Sequence, residues 1–471
     1  MRAWLKLALT ALLAGAAAGV SAAPAQSPGT PPPSVAATVV RDGGSWTAEF
    51  RFAQRSPAWM FSHSSVTRDG NRAWRPESWT VLTPGVRLAR HGRHDVLFAE
   101  RGNVPAVVRV RFTPVSSDLV AEYDPALIFT DGSVALWSGH FHLMPVASTA
   151  AVAALPVDLN GLSFGGNGSQ VTFRDRGGQV LHIGRRFDSA TLIGGKLYVL
   201  FGPLRPVVSP DIATVIDPAL PDWLKRELAA STPAILAHFT QVLGPHRGAF
   251  PTLLVSWRGP TPRLSSMGGS TLQGQIGMTF EGVGVVAENQ ELRHGARWFI
   301  AHEAAHFWLG NAVRYESQGD SWIMEGGADM LAARAIAAMD PAYDPRPKLQ
   351  NSVNECAGFA HRPIATAGER GDNQAFYACG AVFALIAEGV SRRPYGAFIR
   401  PVIDANRADG VLTAAEWLAA LAGAGADPGI VRDIQAMLRS GVSDPKAMLA
   451  SLFTRAGVRF TPGADGVPRL Q

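Results

Sequence analysis

Between residues 38 and 210 the chain alternates apolar and polar side chains with a period of two. Trp46, Ala48, Phe50 and Phe52 are interleaved with Thr47, Glu49 and Arg51, and Val108, Val110 and Phe112 with Arg109 and Arg111. Successive side chains of a strand point to opposite faces, so this pattern predicts strands buried on one side. Turn pairs recur in the same stretch, at Gly43-Gly44, Asp69-Gly70, Asp131-Gly132, Gly165-Gly166, Gly177-Gly178 and Gly194-Gly195. The region is expected to be an antiparallel β domain, a sandwich or saddle-shaped sheet, in one lobe or in two dividing near 150.

The period lengthens near Pro221. Trp223, Leu224, Leu228, Ile235, Leu236, Phe239 and Val242 fall at helical spacing over 222–243, and Gly244-Pro245 ends that helix. Leu253-Leu254-Val255 reads as a strand, and 268–280, rich in Gly, Ser and Thr, as one strand or two. A helix is expected from about Glu291 to Leu309, stopped by Gly310-Asn311, and another from about Trp322. Beyond 345 the pattern is helical, at 373–389, 395–405, 413–423, 427–440 and 443–455, with no internal repeat.

A chain of 471 residues, 47% hydrophobic and 17% charged, can fill more than one core. Its N-terminus differs in kind. Arg2 and Lys6 flank the start of an apolar run from Leu7 to Gly19, too short for a typical membrane span. Val20-Ser21-Ala22 supplies small residues for cleavage before Ala23 or one residue later. Residues 1–22 are therefore read as a signal peptide and 23–37, rich in Pro, as a flexible linker. No later stretch reads as a bilayer span, so the mature chain is expected to be exported, periplasmic or secreted, without stable membrane insertion. Net charge is +5, or +3 without Arg2 and Lys6, and the basic residues are scattered, which argues against nucleic acid as a partner. Cys356 and Cys379 are the two cysteines. In an oxidising compartment they can form a disulfide closing a loop of about 24 residues, worth on the order of 3 kcal/mol; two free thiols are the alternative.

The chemistry lies in the helix expected at 291–309. His302-Glu303-Ala304-Ala305-His306 places two imidazoles four residues apart on one helix face. Glu325 follows after eighteen residues, on the next helix. It can complete three protein ligands around one zinc ion and leave a position for water, as in catalytic rather than structural zinc sites. Glu303, beside the metal, is the candidate proton acceptor. Ile300-Ala301 and Phe307-Trp308-Leu309 make the helix apolar all round and hence buried, where two histidines and a glutamate are costly unless paired or metal-bound. Asp329, one turn beyond Glu325, can hold the outer nitrogen of a ligand histidine. Asp409 to Glu416 matches the second half of a calcium loop, but Thr413-x-x-Glu416 is read as a helix capping box. His140-Phe141-His142 puts two imidazoles on one face of an expected strand, without a third ligand.

The run from Ile300 to Asn311 resembles the active-site helix of the gluzincin aminopeptidases, the aminopeptidase N and leukotriene A hydrolase family. The eighteen-residue spacing, the Gly310-Asn311 that follows and Trp322-Ile323-Met324-Glu325-Gly326 at the third ligand all match that family. The resemblance covers about 221–390. It implies zinc, a peptide or protein substrate, and a thermolysin-like mixed α/β catalytic domain at 211–345. The whole chain is then an α+β multidomain protein, with an N-terminal β domain at 38–210 and a C-terminal helical region at 346–471. By resemblance Tyr377, in Tyr377-Ala378-Cys379-Gly380-Ala381, would donate a hydrogen bond to the oxyanion of the reaction. The family's Gly-x-Met-Glu-Asn strand, whose Glu binds the substrate α-amine, corresponds best to Gly268-Gly269-Ser270-Thr271-Leu272. Gly268 and Gly269 are kept as substrate-binding backbone, while Ser270 and Thr271 stand in place of Met and Glu. Glu281 is the next carboxylate in sequence.

The expected reaction is peptide hydrolysis with one zinc per chain. His302, His306 and Glu325 hold the metal, and Glu303 takes a proton from water and passes it to the leaving amine. Two other readings stay open: a peptidase acting within chains or on substrates lacking a free amine, and a zinc-binding relative that holds a peptide or protein without cleaving it.

Overall fold

The alternation along Ser45–Phe52 becomes a strand with Trp46, Ala48, Phe50 and Phe52 buried and Ser45, Thr47 and Arg51 exposed. Val107–Phe112 behaves alike, with Val108, Val110 and Phe112 inside. These strands belong to a computed structural model that describes residues 32–471 apart from 121, 157, 158, 160, 161, 247, 249 and 263–265. The expected signal peptide lies outside the described residues, and the first strand, Val35–Asp42, starts within the stretch expected as linker.

The N-terminal region carries three sheets of six, four and five strands. The six-stranded sheet runs Ala190–Ile193, Ser169–Asp175, Val35–Asp42, Ser45–Phe52, Val107–Phe112, Trp79–Val81. Its pairings are antiparallel except that of Val35–Asp42 with Ser169–Asp175, which is parallel. That pair, and the pairing of Val134–Trp137 with Tyr198–Phe201, join chain from both sides of residue 150. Non-local strand pairing thus ties the segments on either side of residue 150 into common sheets. Phe50, Phe61, Trp79, Phe112, Phe141, Phe173 and Phe201 fill the shared core.

A fourth sheet begins after residue 205. Its strands are β1 (Val207–Val208), β2 (Ala213–Ile216), β3 (Thr252–Trp257), β4 (Ser266–Leu272) and β5 (Gln275–Glu281), in spatial order β1-β2-β3-β5-β4. β2, β3 and β5 run parallel, while β1 and β4 are antiparallel edges. The apolar run in β3 is buried on both faces, as parallel central strands require. Leu253 and Val255 pack with the helices, whereas Leu254 packs with Leu127, Trp137 and Tyr198 of the N-terminal region. Polar contacts join the same regions: Arg258 pairs with Asp124 at 2.7 Å, and Asp217 accepts the Thr130 N–H at 2.9 Å. β4 and β5 form a hairpin around Gln273-Gly274, where Gly274 has φ +75°.

Five helices then build the site. They are α1 (Asp222–Leu243), α2 (Gln290–Ala305), α3 (Ser321–Met339), α4 (Arg346–Phe359) and α5 (Gln374–Ser391). Helices at Tyr395–Ala405, Ala414–Gly423, Pro428–Arg439 and Pro445–Ala456 and a terminal hairpin, Phe460–Pro462 with Pro468–Leu470, complete the chain. The pattern did not single out α4 or that hairpin. The capping box at Thr413 and Glu416 is formed. By length and composition α5 could cross a bilayer, contrary to the reading that no later stretch could, but 67% of it is buried inside the protein. It is a core helix.

α3 and α5 cross with their backbones almost touching. A Cβ on Gly326 would lie 2.2 Å from the Gly380 carbonyl carbon, and one on Gly380 would lie 2.1 Å from the Trp322 carbonyl oxygen. Neither clash can be relieved by a side-chain rotation. Gly380→Ala is therefore expected to destabilise the protein by about 1–3 kcal/mol through overpacking. Gly358→Ala on α4, where a Cβ would meet nothing within 4 Å, should be neutral or slightly stabilising. Urea denaturation of the two variants checks this, and equal midpoints would refute the tight crossing.

Candidate active site

α2 starts where the Asn289 side chain accepts the Leu292 N–H at 2.8 Å. Its first half is only partly buried, and Arg297 there pairs with Glu227 of α1 at 2.6 Å and with Asp340 at 2.7 Å. The second half is buried through Ile300, Ala301, Ala304 and Ala305. The helix is thus apolar all round only at its C-terminal end, a correction to the reading from sequence. It also ends earlier than expected. Regular helix stops at Ala305, His306 is the C-cap, and turns continue to Gly310, which has φ +146°. Asn311 closes the motif: its N–H bonds the His306 carbonyl at 3.0 Å, and its side chain donates to the Leu272 carbonyl of β4 at 2.9 Å.

The last turn of α2 faces α3. His302 Nε2 and His306 Nε2 are 3.1 Å apart, and Glu325 Oε2 lies 3.5 Å from the first and 3.4 Å from the second. Among the described residues these three form the group with metal-ligand spacing. His306 Nδ1 faces the Leu309 carbonyl at 2.9 Å, so it carries the hydrogen and leaves Nε2 a lone pair. Asp329 Oδ1 lies 2.8 Å from His302 Nδ1. The carboxylate thus faces the outer ring nitrogen, holds the hydrogen there and orients the ring. With both outer nitrogens facing oxygens, three acceptor atoms converge with no donor between them. That arrangement calls for a cation, and two imidazoles with one carboxylate suit zinc.

In the metal-free protein a proton supplies the positive charge. Burial alone lowers the His302 pKa, but Asp329 and Glu325 outweigh it and raise it to about 10. Burial also opposes the charge on His306, where Glu325 prevails and the net shift is upward. Burial pushes Glu325 up, yet His306 and His302 hold its carboxyl well below the usual carboxylate range. The Glu325 side chain keeps 25% of its exposure against 6% for His302, so the site opens on the α3 side.

Glu303 is 6% exposed and is not among the converging donors. Its Oε2 accepts the Thr271 hydroxyl at 2.8 Å. The Tyr377 ring lies 5.8 Å from that of His302, with 18° between planes. Burial first, then the nearby Glu325 carboxylate, raise the Tyr377 phenol far above its ordinary pKa, so it stays protonated and able to donate. Tyr377 opens α5, and two residues on Cys379 is disulfide-bonded to Cys356 of α4. The Gly326–Gly380 crossing sets the distance between Glu325 and Tyr377, each of which neighbours that crossing on its own helix.

Gly268 and Gly269 lie on β4, the outer edge of the sheet. A Cβ on Gly268 would meet nothing within 4 Å, whereas one on Gly269 would lie 2.9 Å from the Phe299 ring of α2. Glu281 is at the other end of the hairpin, opposite Ser266, where it accepts the Thr261 hydroxyl at 2.8 Å. It is not part of this cluster. His140 lies in a 3-10 turn, not a strand, and packs on Arg75 in the N-terminal core.

Two contacts had no signal in the sequence. Thr271 was conspicuous only for not being a carboxylate. Tyr123 comes from the N-terminal region, 148 positions from Thr271, whose carbonyl accepts its hydroxyl at 3.4 Å. Burial, then Glu122, Glu303 and other acidic neighbours, raise that phenol to about 12.

The chain shares its fold with an aminopeptidase N family protein from Idiomarina loihiensis, at TM-score 0.61 and 10% identity over 88% of this chain and 78% of that one. It is also similar to native leukotriene A4 hydrolase from Saccharomyces cerevisiae, at TM-score 0.50 and 12% identity over 87% and 68% of the two chains. No family model and no curated protein matches it in sequence. The likeness is one of fold: a multidomain α+β chain with N-terminal sheets and a C-terminal helical region.

Proposed function

We propose that this chain is a zinc-dependent hydrolase of peptide bonds, with a thermolysin-like catalytic region. The observation that carries the reading is a buried carboxylate, Glu303, which follows one converging imidazole and precedes the other in sequence yet is left out of the donor set. A binding module has no need of that group; a hydrolase needs it as a base. His302, His306 and Glu325 would hold the metal. A zinc ion there supplies a Lewis acid that polarises the scissile carbonyl and makes water acidic near neutral pH.

The chain's own residues do the rest. Glu303 takes a proton as water oxygen bonds to the carbonyl carbon, and returns it to the amine nitrogen as the C–N bond breaks. Tyr377 donates to the carbonyl oxygen as that oxygen gains charge, an interaction strongest in the transition state. β4 offers an unpaired edge, bare of side chains at Gly268, to which an extended peptide can add as a strand. The neighbours named for aminopeptidase and hydrolase activity support this reading through their fold.

Export also belongs to this reading. The apolar run behind Arg2 and Lys6 motivates it, and the Cys356–Cys379 disulfide suits an oxidising compartment.

The test is hydrolysis of paired peptides, free and N-acetylated, by protein holding one zinc per chain. Cleavage of either member is the expected result. With no carboxylate on β4 and Glu281 engaged elsewhere, acetylated peptides should be cut at rates comparable to free ones. A fully zinc-loaded protein that cuts neither would overturn the peptidase and leave the non-cleaving peptide binder.

A further inference from the structure

Thr271 sits one residue from the end of β4, against the last turn of α2. Its hydroxyl oxygen is 2.8 Å from Glu303 Oε2 and 2.6 Å from the Glu303 backbone carbonyl. That carbonyl is in the last turn of the helix and also accepts the N–H of the C-cap His306 at 3.3 Å. One hydroxyl proton therefore serves two oxygens of the same residue. Among the described residues no hydrogen bond reaches the other carboxylate oxygen, Oε1.

The strand that carries Thr271 is held at that residue's own carbonyl and at the next one. Tyr123 of the N-terminal region donates to the Thr271 carbonyl at 3.4 Å, and Asn311 donates to the Leu272 carbonyl at 2.9 Å. A β-branched side chain on a clamped backbone has few rotamers to choose from. The hydroxyl is thus a fixed point against which the Glu303 carboxylate is set, with contributions from three separate parts of the chain.

We propose that Thr271 is a positioning residue for Glu303: by holding Oε2 it turns Oε1 to the reacting water. This rests on the reading of Glu303 as the base. Thr271 touches neither metal nor substrate in this role, and its effect falls on turnover rather than on binding.

Thr271→Val keeps the shape and removes the donor; Thr271→Ser keeps the donor. In Thr271→Val, kcat on a cleaved peptide should fall by about 10–100-fold, the worth of one hydrogen bond to a charged group. KM should stay within about threefold of wild type, and zinc content should remain one per chain. Thr271→Ser should recover kcat to within a few fold. Added to Glu303→Gln, Thr271→Val should cost little more, because both changes act through one group. An unchanged kcat in Thr271→Val overturns the proposal. So does a loss that follows zinc content or melting temperature, which would make Thr271 a strand-to-helix tie alone. If Glu303→Gln itself keeps wild-type kcat, the base reading fails and this one with it, an outcome distinct from failure of Thr271 alone.

Discussion

Glu303→Gln is expected to retain one zinc per chain and to lose about three to four orders of magnitude in kcat, the upper range for removing a general base. The substitution is close to isosteric. The amide can still accept the Thr271 hydroxyl, so the end of α2 should keep its shape. None of the three converging donor atoms is altered, since they belong to His302, His306 and Glu325. What is lost is the capacity to take a proton. Zinc content by elemental analysis and kcat on the same sample separate the two roles. A variant within tenfold of wild type would remove Glu303 from the mechanism. A variant that loses zinc would make it a support of the metal site instead.

The parts of this molecule legible in the sequence are those in which one short segment carries the whole signal. Period-two alternation was sufficient for Ser45–Phe52 and Val107–Phe112, because each strand has one buried face and the sequence records which. Helical spacing placed Asp222–Leu243 and Tyr395–Ala405 at their ends. The pair His302 and His306 was legible because four residues on a helix bring side chains together whatever surrounds them.

What was not legible depends on segments that meet only after folding. The parallel pairing of Val35–Asp42 with Ser169–Asp175 is non-local, and nothing in either strand names its partner. Gly326 was visible as part of a motif, but its purpose needs Gly380 on another helix. Thr271 looked like an absence, a hydroxyl where a carboxylate belongs, until β4 was seen to lie against Glu303. The apolar length of α5 can be read as a span or as a core helix, and only packing decides between them. In each case the local pattern is compatible with several structures, and burial against a distant partner selects one.

Zinc binding by this chain should strengthen as pH rises from about 7 to 9, because the metal and a proton compete for the same nitrogen. The His302 pKa in the metal-free protein, raised to about 10 by Asp329 and Glu325 against the effect of burial, lies above the ordinary value of 6.5. The stability that this shift contributes without metal is complete below 6.5 and is lost as pH rises through about 10. Throughout that window zinc must displace a proton, so its apparent Kd should rise about tenfold for each unit the pH falls. Competition with a chelator of known affinity at pH 7, 8 and 9 measures the slope, and complete removal of the metal should abolish hydrolysis. Asp329→Asn makes the test specific. Without that carboxylate the His302 pKa moves back toward its ordinary value, so the slope between pH 7 and 9 should flatten. The ring also loses its fixed orientation, so affinity at pH 9 should fall by about 10–100-fold. A wild-type affinity independent of pH over this range would mean that His302 is neutral without metal, and that the pull of Asp329 and Glu325 does not exceed the effect of burial.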